Sequence, residues 1–273
     1  RELKAFTKTK ELEPGEVQQL TLDIPVSSLA SYDDSGVTGH RSCYVLEAGN
    51  YIFHVGNSVR HTQVADVGQK GGLRVEELQV TETLQEALAP EQPFWRIHPV
   101  KSGEGKNYEI KKEDVPQKTV DLKERIRENL PKQLEITGNC GICFSDVSCG
   151  KATLDDFLAQ LSKEELVTIV RGEGMSSPKV TPGTASAFGG VSDSLHEYGI
   201  PVACCADGPS GIRMESGLKA TQLPIGTLLA CSFNLPMVEE LYVMEGKELV
   251  ANEVDTLLGP GINIHRHPLN GRN

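Results

Sequence analysis

Asp207 opens the run Asp207-Gly208-Pro209-Ser210-Gly211-Ile212-Arg213, a carboxylate and a guanidinium joined by a glycine-rich turn. A carboxylate there can accept hydrogen bonds from ligand hydroxyls, or it can cap its own turn, as Asp-Gly steps commonly do. Further on, Gly259-Pro260-Gly261-Ile262-Asn263 leads into His265, Arg266, His267 and Arg272. The glycines permit tight bends, and Arg266 and Arg272 can each donate to ligand oxygens or orient a nearby carboxylate. One of the two arginines is expected to be structural. His265 and His267 stand two apart without a third ligand, so no metal site is expected. Cys140 and Cys143 form a CxxC with Cys149 nearby, but a zinc knuckle needs a second pair, and ordinary reduced thiols are the reading. Glu173, between Gly172 and Gly174, could approach a pocket, although a solvated turn is the commoner place for such a residue.

These groups need elements to position them. Ile200-Pro-Val-Ala-Cys-Cys-Ala206 reads as a buried strand that delivers Asp207, with Cys204 and Cys205 as small core residues. GTLLACS, residues 226–232, reads as a second strand, and VDTLLGP, residues 254–260, as a third. Asn234-Leu235-Pro236 predicts a capped long helix carrying Val238, Leu241, Tyr242, Glu245 and Leu249, and VSDSLHEYG predicts a shorter helix before Ile200. Strand and helix in this alternation imply parallel α/β units, either a (β/α)8 barrel or a doubly wound sheet. Upstream, Thr153 precedes LDDFLAQL, and Ser162 with Glu165 forms a capping box that opens a helix closed by Gly172.

The first part of the chain reads differently. Leu20, Leu22 and Ile24 alternate with polar residues, as do Tyr51, Phe53 and Val55, and turn signals at Pro14-Gly15, Asp33–Gly36 and Gly49-Asn50 separate the runs. Residues 1–64 are therefore expected to form a β-sandwich of about seven short strands. Residues 65–150 are expected to be a surface connector of irregular structure, with a narrow helical stripe at Leu122, Ile126 and Leu130. Residues 151–273 are the α/β part.

The 273 residues carry a net charge of −11 and no Lys/Arg cluster, which argues against nucleic acid as a partner. With 38% hydrophobic and 24% charged residues the composition is that of a globular protein, and no apolar run suits a membrane partner. Seven cysteines without a regular framework, and no visible signal peptide, point to a reducing, cytoplasmic compartment. No G-x-G-x-x-G or Walker-type loop is present, so a cofactor-dependent doubly wound enzyme is disfavoured and no cofactor is expected.

The order of these motifs carries a family resemblance. DGPSGIR, then TQLPIGTLLACSFN, then a helix running into GKELVANEVDTLLGPGINIHRHPLNGRN, resembles β-glucosidases of glycoside hydrolase family 3 over about residues 160–273. FTKTKELEPGEVQQLTLDI and EAGNYIFHVGNSVR are similar to the fibronectin type III-like module of those enzymes. The resemblance implies a fibronectin type III-like sandwich followed by the N-terminal part of a (β/α)8 TIM-like barrel. It further implies that Asp207 binds hydroxyls of a terminal β-linked sugar, usually glucose, with Arg213 and Arg272 lining that subsite and Arg266 behind it.

Enzymes of this family retain anomeric configuration by means of a nucleophilic carboxylate and an acid/base carboxyl. The resemblance places the nucleophilic Asp on a later barrel strand and the acid/base Glu on a separate α/β sandwich domain, so no catalytic residue is expected among these 273. The chain is then expected to be an internal piece of a larger enzyme with rearranged domain order, as a fragment or as one part of a split assembly. Its partners would be a β-glucoside or oligosaccharide and the remainder of the same enzyme, with a homo-oligomer left open. The competing reading is a non-catalytic carbohydrate-binding or adhesion protein that uses Asp207 to hold a sugar without cleaving it.

Overall fold

The computed structural model describes residues 2–34, 36–67, 72–86, 90–103, 107–215, 217–263 and 269. The chain divides into two compact units, Arg1–Phe6 with Thr21–Pro131, and Thr7–Leu20 with Lys132–Asn273.

In the first unit, β1 (Ser31–Asp33), β2 (Cys43–Leu46), β3 (Gly49–Tyr51), β4 (His54–Gly56), β5 (Thr62–Val64), β6 (Leu73–Val75) and β7 (Gln79–Thr83) are short, and all their pairings are antiparallel. β2 is central in the sheet β1-β2-β7, and its Cys43, Val45 and Leu46 are buried. Between Tyr44 and Val45 the register on β7 shifts, leaving Thr81 as an extra residue whose hydroxyl donates to the Tyr44 carbonyl. Asp33 ends β1 as a buried carboxylate. It accepts from the amides of Gly36, Val37 and Thr38 and from the Thr38 hydroxyl, so the loop folds around it.

The Leu20–Ile24 alternation, expected to be a strand, forms none. Alternation marks a two-faced segment, but a strand also needs a ladder partner, and among the described residues no strand pairs with these. The irregular connector expected over residues 65–150 is also corrected. It contains β6, β7 and a hairpin of β8 (Trp95–Lys101) and β9 (Tyr108–Asp114), while the helical stripe read at Leu122 and Ile126 does form α1 (Leu122–Glu128), which Asp121 caps. The hairpin escaped the sequence pattern because its apolar residues are diluted by charges on the other face. Trp95, Ile97 and Ile110 share one side, whereas Arg96 and Glu113 pair on the opposite side at 2.5 Å. Behind α1, the Glu86 carboxylate accepts from the Thr119 amide and hydroxyl and lies 3.3 Å from Arg41.

The second unit begins with α2 (Phe144–Ser148), α3 (Leu154–Ala159) and α4 (Lys163–Arg171). The capping box read from the sequence forms at Ser162/Glu165, a second one forms at Thr153/Asp156, and Gly172 closes α4. Phe157 makes edge contacts with Phe144 and Tyr198, and the buried Gln160 side chain ties down the loop before α2. Its Oε1 accepts from the amides of Cys140 and Ile142, and its Nε2 donates to the Ile142 carbonyl at 2.6 Å.

Next come β10 (Ser186–Gly189), α5 (Asp193–Glu197), β11 (Val202–Asp207), α6 (Gly226–Cys231), α7 (Leu235–Ala251) and β12 (Thr256–Leu258). β11 is the middle strand, antiparallel to β10 and parallel to β12. Cys204, Ala206, Ile212 and Val254 form the core, with Met214, Leu249 and Leu257 packed against them. The unit is thus mixed α/β, and its described three-stranded sheet is open. GTLLACS, expected to be a strand, is helix α6. A short apolar run does not separate strand from buried helix; here Leu229 is buried while Leu228 points out, and Asn234 starts α7 three residues after Cys231.

Candidate functional site

β11 and β12 run in the same direction with Asp207 beside Leu258, so both strands end at one level and their following loops leave from the same edge. This is the carboxyl end of a parallel pair, where side chains on loops face open space in α/β folds. The loop after β11 folds back at once, because the Arg213 amide donates to the Asp207 carbonyl at 2.7 Å. Ile212 and Met214 alternate inward onto the core, which leaves Arg213 and Glu215 on the outer side. The Asp207 carboxylate is 40% exposed. Among the described residues it accepts no hydrogen bond from its own turn. Its partner is the Arg213 guanidinium at 3.8 Å, whose other arm pairs with Glu215.

Close backbone contacts fix the two loops. Gly211 adopts φ +98°, and a Cβ there would lie 2.2 Å from the Thr221 carbonyl oxygen; a Cβ on Gly226 would lie 2.2 Å from that of Gly261. Only glycine allows such approach. The Leu223 amide donates to the Ser210 carbonyl, and the Gly261 amide to that of Pro209, so the segment before α6 and the loop after β12 both brace the Asp207 turn. Thr221 is held in turn by the Glu248 carboxylate of α7, which accepts from its amide at 2.9 Å and its hydroxyl at 3.1 Å. At the other end of β11, Asp255 accepts from the Cys204 amide at 2.7 Å and aligns β12.

Of the residues singled out in the sequence, Asp207 and Arg213 are brought together. Arg266, Arg272, His265 and His267 lie outside the described residues, although the loop that leads to them starts beside Asp207. Glu173 belongs to a closed turn: it accepts from Ser177 at 2.6 Å and Lys179 at 2.5 Å, and the Lys179 contact, then that of Ser177, holds its carboxyl below the usual range. All seven cysteines are free, and among the described residues no three or more His, Cys, Asp or Glu side chains group as a metal site would. Sequence reasoning missed Glu215, Glu248 and Asp255. The inward alternation of Ile212 and Met214 was a usable signal for Glu215; nothing local marked the other two, whose partners lie far away in the chain.

On α7, Glu245 is buried and its Oε1 has no hydrogen-bond partner among the described residues. Burial first, then the charge of Glu248, raises its carboxyl above the ordinary range.

The fibronectin type III-like domain model matches residues 1–59. A β-glucosidase of Ruminococcus albus is 50% identical over all of this chain and 28% of its own length. β-Glucosidase A of Butyrivibrio fibrisolvens is 33% identical over 99% of this chain and 33% of its own length. The solved β-glucosidase from Paenibacillus barengoltzii superposes with a TM-score of 0.89 at 66% identity, covering 97% of this chain and 29% of that one. The chain therefore spans about a third or less of the length of these relatives. The resemblance first carried by the DGPSGIR turn extends from one end of the sequence to the other, and the chain is a homologue of the family 3 β-glucosidases.

Proposed function

We propose that this chain is part of a retaining β-glucosidase that hydrolyses terminal non-reducing β-D-glucosyl residues of small glucosides or oligosaccharides, and that it supplies part of the sugar-binding subsite. The observation that carries the reading is the level ending of β11 and β12. It sets the half-exposed Asp207 carboxylate beside the loop that runs toward Arg272. Asp207 accepts hydrogen bonds from sugar hydroxyls, Arg213 lines the subsite beside it, and Arg272 donates to the same sugar.

The remainder of the enzyme provides the nucleophilic carboxylate and the acid/base carboxyl. The first forms the glycosyl-enzyme; the second protonates the leaving oxygen and then activates water. In this reading the three-stranded sheet is the first part of a (β/α)8 barrel that the rest of the polypeptide closes. Support comes from β12, whose outer edge is unpaired among the described residues, and from α7, where Leu235, Val243 and Val250 lie on one face and are more than half exposed. The seven free thiols suit a reducing, cytoplasmic compartment.

The test uses the complete polypeptide and an aryl β-glucoside. Asp207→Asn is expected to lower kcat/KM by about 100-fold or more, since a charged acceptor to sugar hydroxyls is lost at the reacting unit. Wild-type turnover by Asp207→Asn would remove the subsite reading. Full turnover by the isolated 273 residues would remove the assignment of both catalytic carboxyls to the remainder.

A further inference from the structure

We propose that Glu215 is a positioning residue of this subsite: by engaging one arm of the Arg213 guanidinium, it keeps the Asp207 carboxylate open for sugar hydroxyls. This rests on the reading of Asp207 as a sugar-binding group.

Three observations support it. Glu215 is placed by the backbone: its amide donates to the Gly183 carbonyl at 3.0 Å, and the preceding Met214 is packed against the core. Its side chain therefore leaves the loop on the same side as that of Arg213, two residues earlier. The guanidinium is divided between two carboxylates and sits closer to Glu215; its other arm remains 3.8 Å from Asp207, beyond hydrogen-bond reach. Finally, Arg213 is 64% exposed, so no packing holds it back from Asp207.

An arginine beside a carboxylate closes into a two-bond fork at about 2.8 Å when nothing competes for it. Closure onto Asp207 would occupy both carboxylate oxygens, the same lone pairs that sugar hydroxyls need. Glu215 supplies the competition. It touches neither the sugar nor the reacting atoms, and its influence passes entirely through Arg213.

The experiment is Glu215→Gln in the complete enzyme, with KM and kcat for an aryl β-glucoside and product inhibition by glucose as readouts. We expect KM and the glucose inhibition constant to rise together by about 3–10-fold, the scale of one charge-assisted contact, with kcat within about threefold of wild type. Glu215→Asp, which retains the charge, should recover part of the loss. In an Arg213→Ala background Glu215→Gln should have no further effect, an outcome that a merely structural role for Glu215 would not produce. Unchanged KM and glucose inhibition in Glu215→Gln, where Asp207→Asn abolishes glucose binding, would overturn the positioning role and leave the subsite standing. Unchanged glucose binding in Asp207→Asn would overturn both.

Discussion

Replacing Gly211 by alanine should damage the candidate site through the backbone alone. The residue sits at φ +98°, which costs an L-residue about 1–2 kcal/mol. The added Cβ would lie 2.2 Å from the Thr221 carbonyl oxygen, so one of the two segments must retreat by about 1 Å to restore ordinary contact. Thr221 resists, because its amide and hydroxyl are both bound by Glu248 on the long helix α7. Overpacking of this kind adds about 1–3 kcal/mol, giving a total of about 2–5 kcal/mol. The turn carrying Asp207 is the part free to move, and a shift of about 1 Å in a positioning group can lower activity by about 100-fold. The assay is kcat/KM of the complete enzyme on an aryl β-glucoside, with chemical denaturation in parallel. Gly217→Ala is the control. Gly217 also has a positive φ, +82°, but a Cβ there meets none of the described residues within 4 Å, so it should cost about 1 kcal/mol and leave kcat/KM unchanged. If Gly211→Ala matched that control in both measurements, the bracing of the Asp207 turn by Thr221 would be wrong.

Two further outcomes are expected in the second unit. Gln160→Ala removes a buried side chain that makes three hydrogen bonds to the Cys140–Ile142 loop, and should cost about 2–4 kcal/mol in urea unfolding while exposing the half-buried Cys143 to thiol reagents sooner. Glu245 bears on pH. Its carboxyl is raised in the folded chain, mainly by burial, so below the unfolded carboxylate range both states hold the proton and stability is full. As pH rises the unfolded state releases its proton first, and stability falls until the folded value is passed. Glu245→Gln should flatten this decline and raise stability by about 1 kcal/mol at pH 7, and an unchanged pH profile in urea unfolding would contradict the assignment.

How far the sequence could be read follows from the range of each interaction. The helix boundaries at Thr153, Ser162 and Gly172 were legible because a cap is a contact between residues three or four apart. β11 and α7 were legible for a similar reason: a continuous apolar run and an Asn-Leu-Pro start are local signals. Local signals failed where pairing decides. The Leu20–Ile24 alternation found no ladder, the charged hairpin β8–β9 formed one, and the apolar 226–231 run became helix α6 once α7 began three residues later.

For the site, sequence alone determined which groups were present: a carboxylate and an arginine on one glycine-rich turn, and the family resemblance of the segments that follow. The tertiary structure decided what those groups face. Only the parallel register of β11 with β12 brings the Asp207 turn beside the 259–263 loop, because that contact spans some fifty residues and is set by main-chain hydrogen bonds, whose donors and acceptors are the same whatever the side chains. Likewise, only the folded turn divides Arg213 between Asp207 and Glu215, since that division depends on Met214 being buried and on the Gly183 carbonyl being in reach.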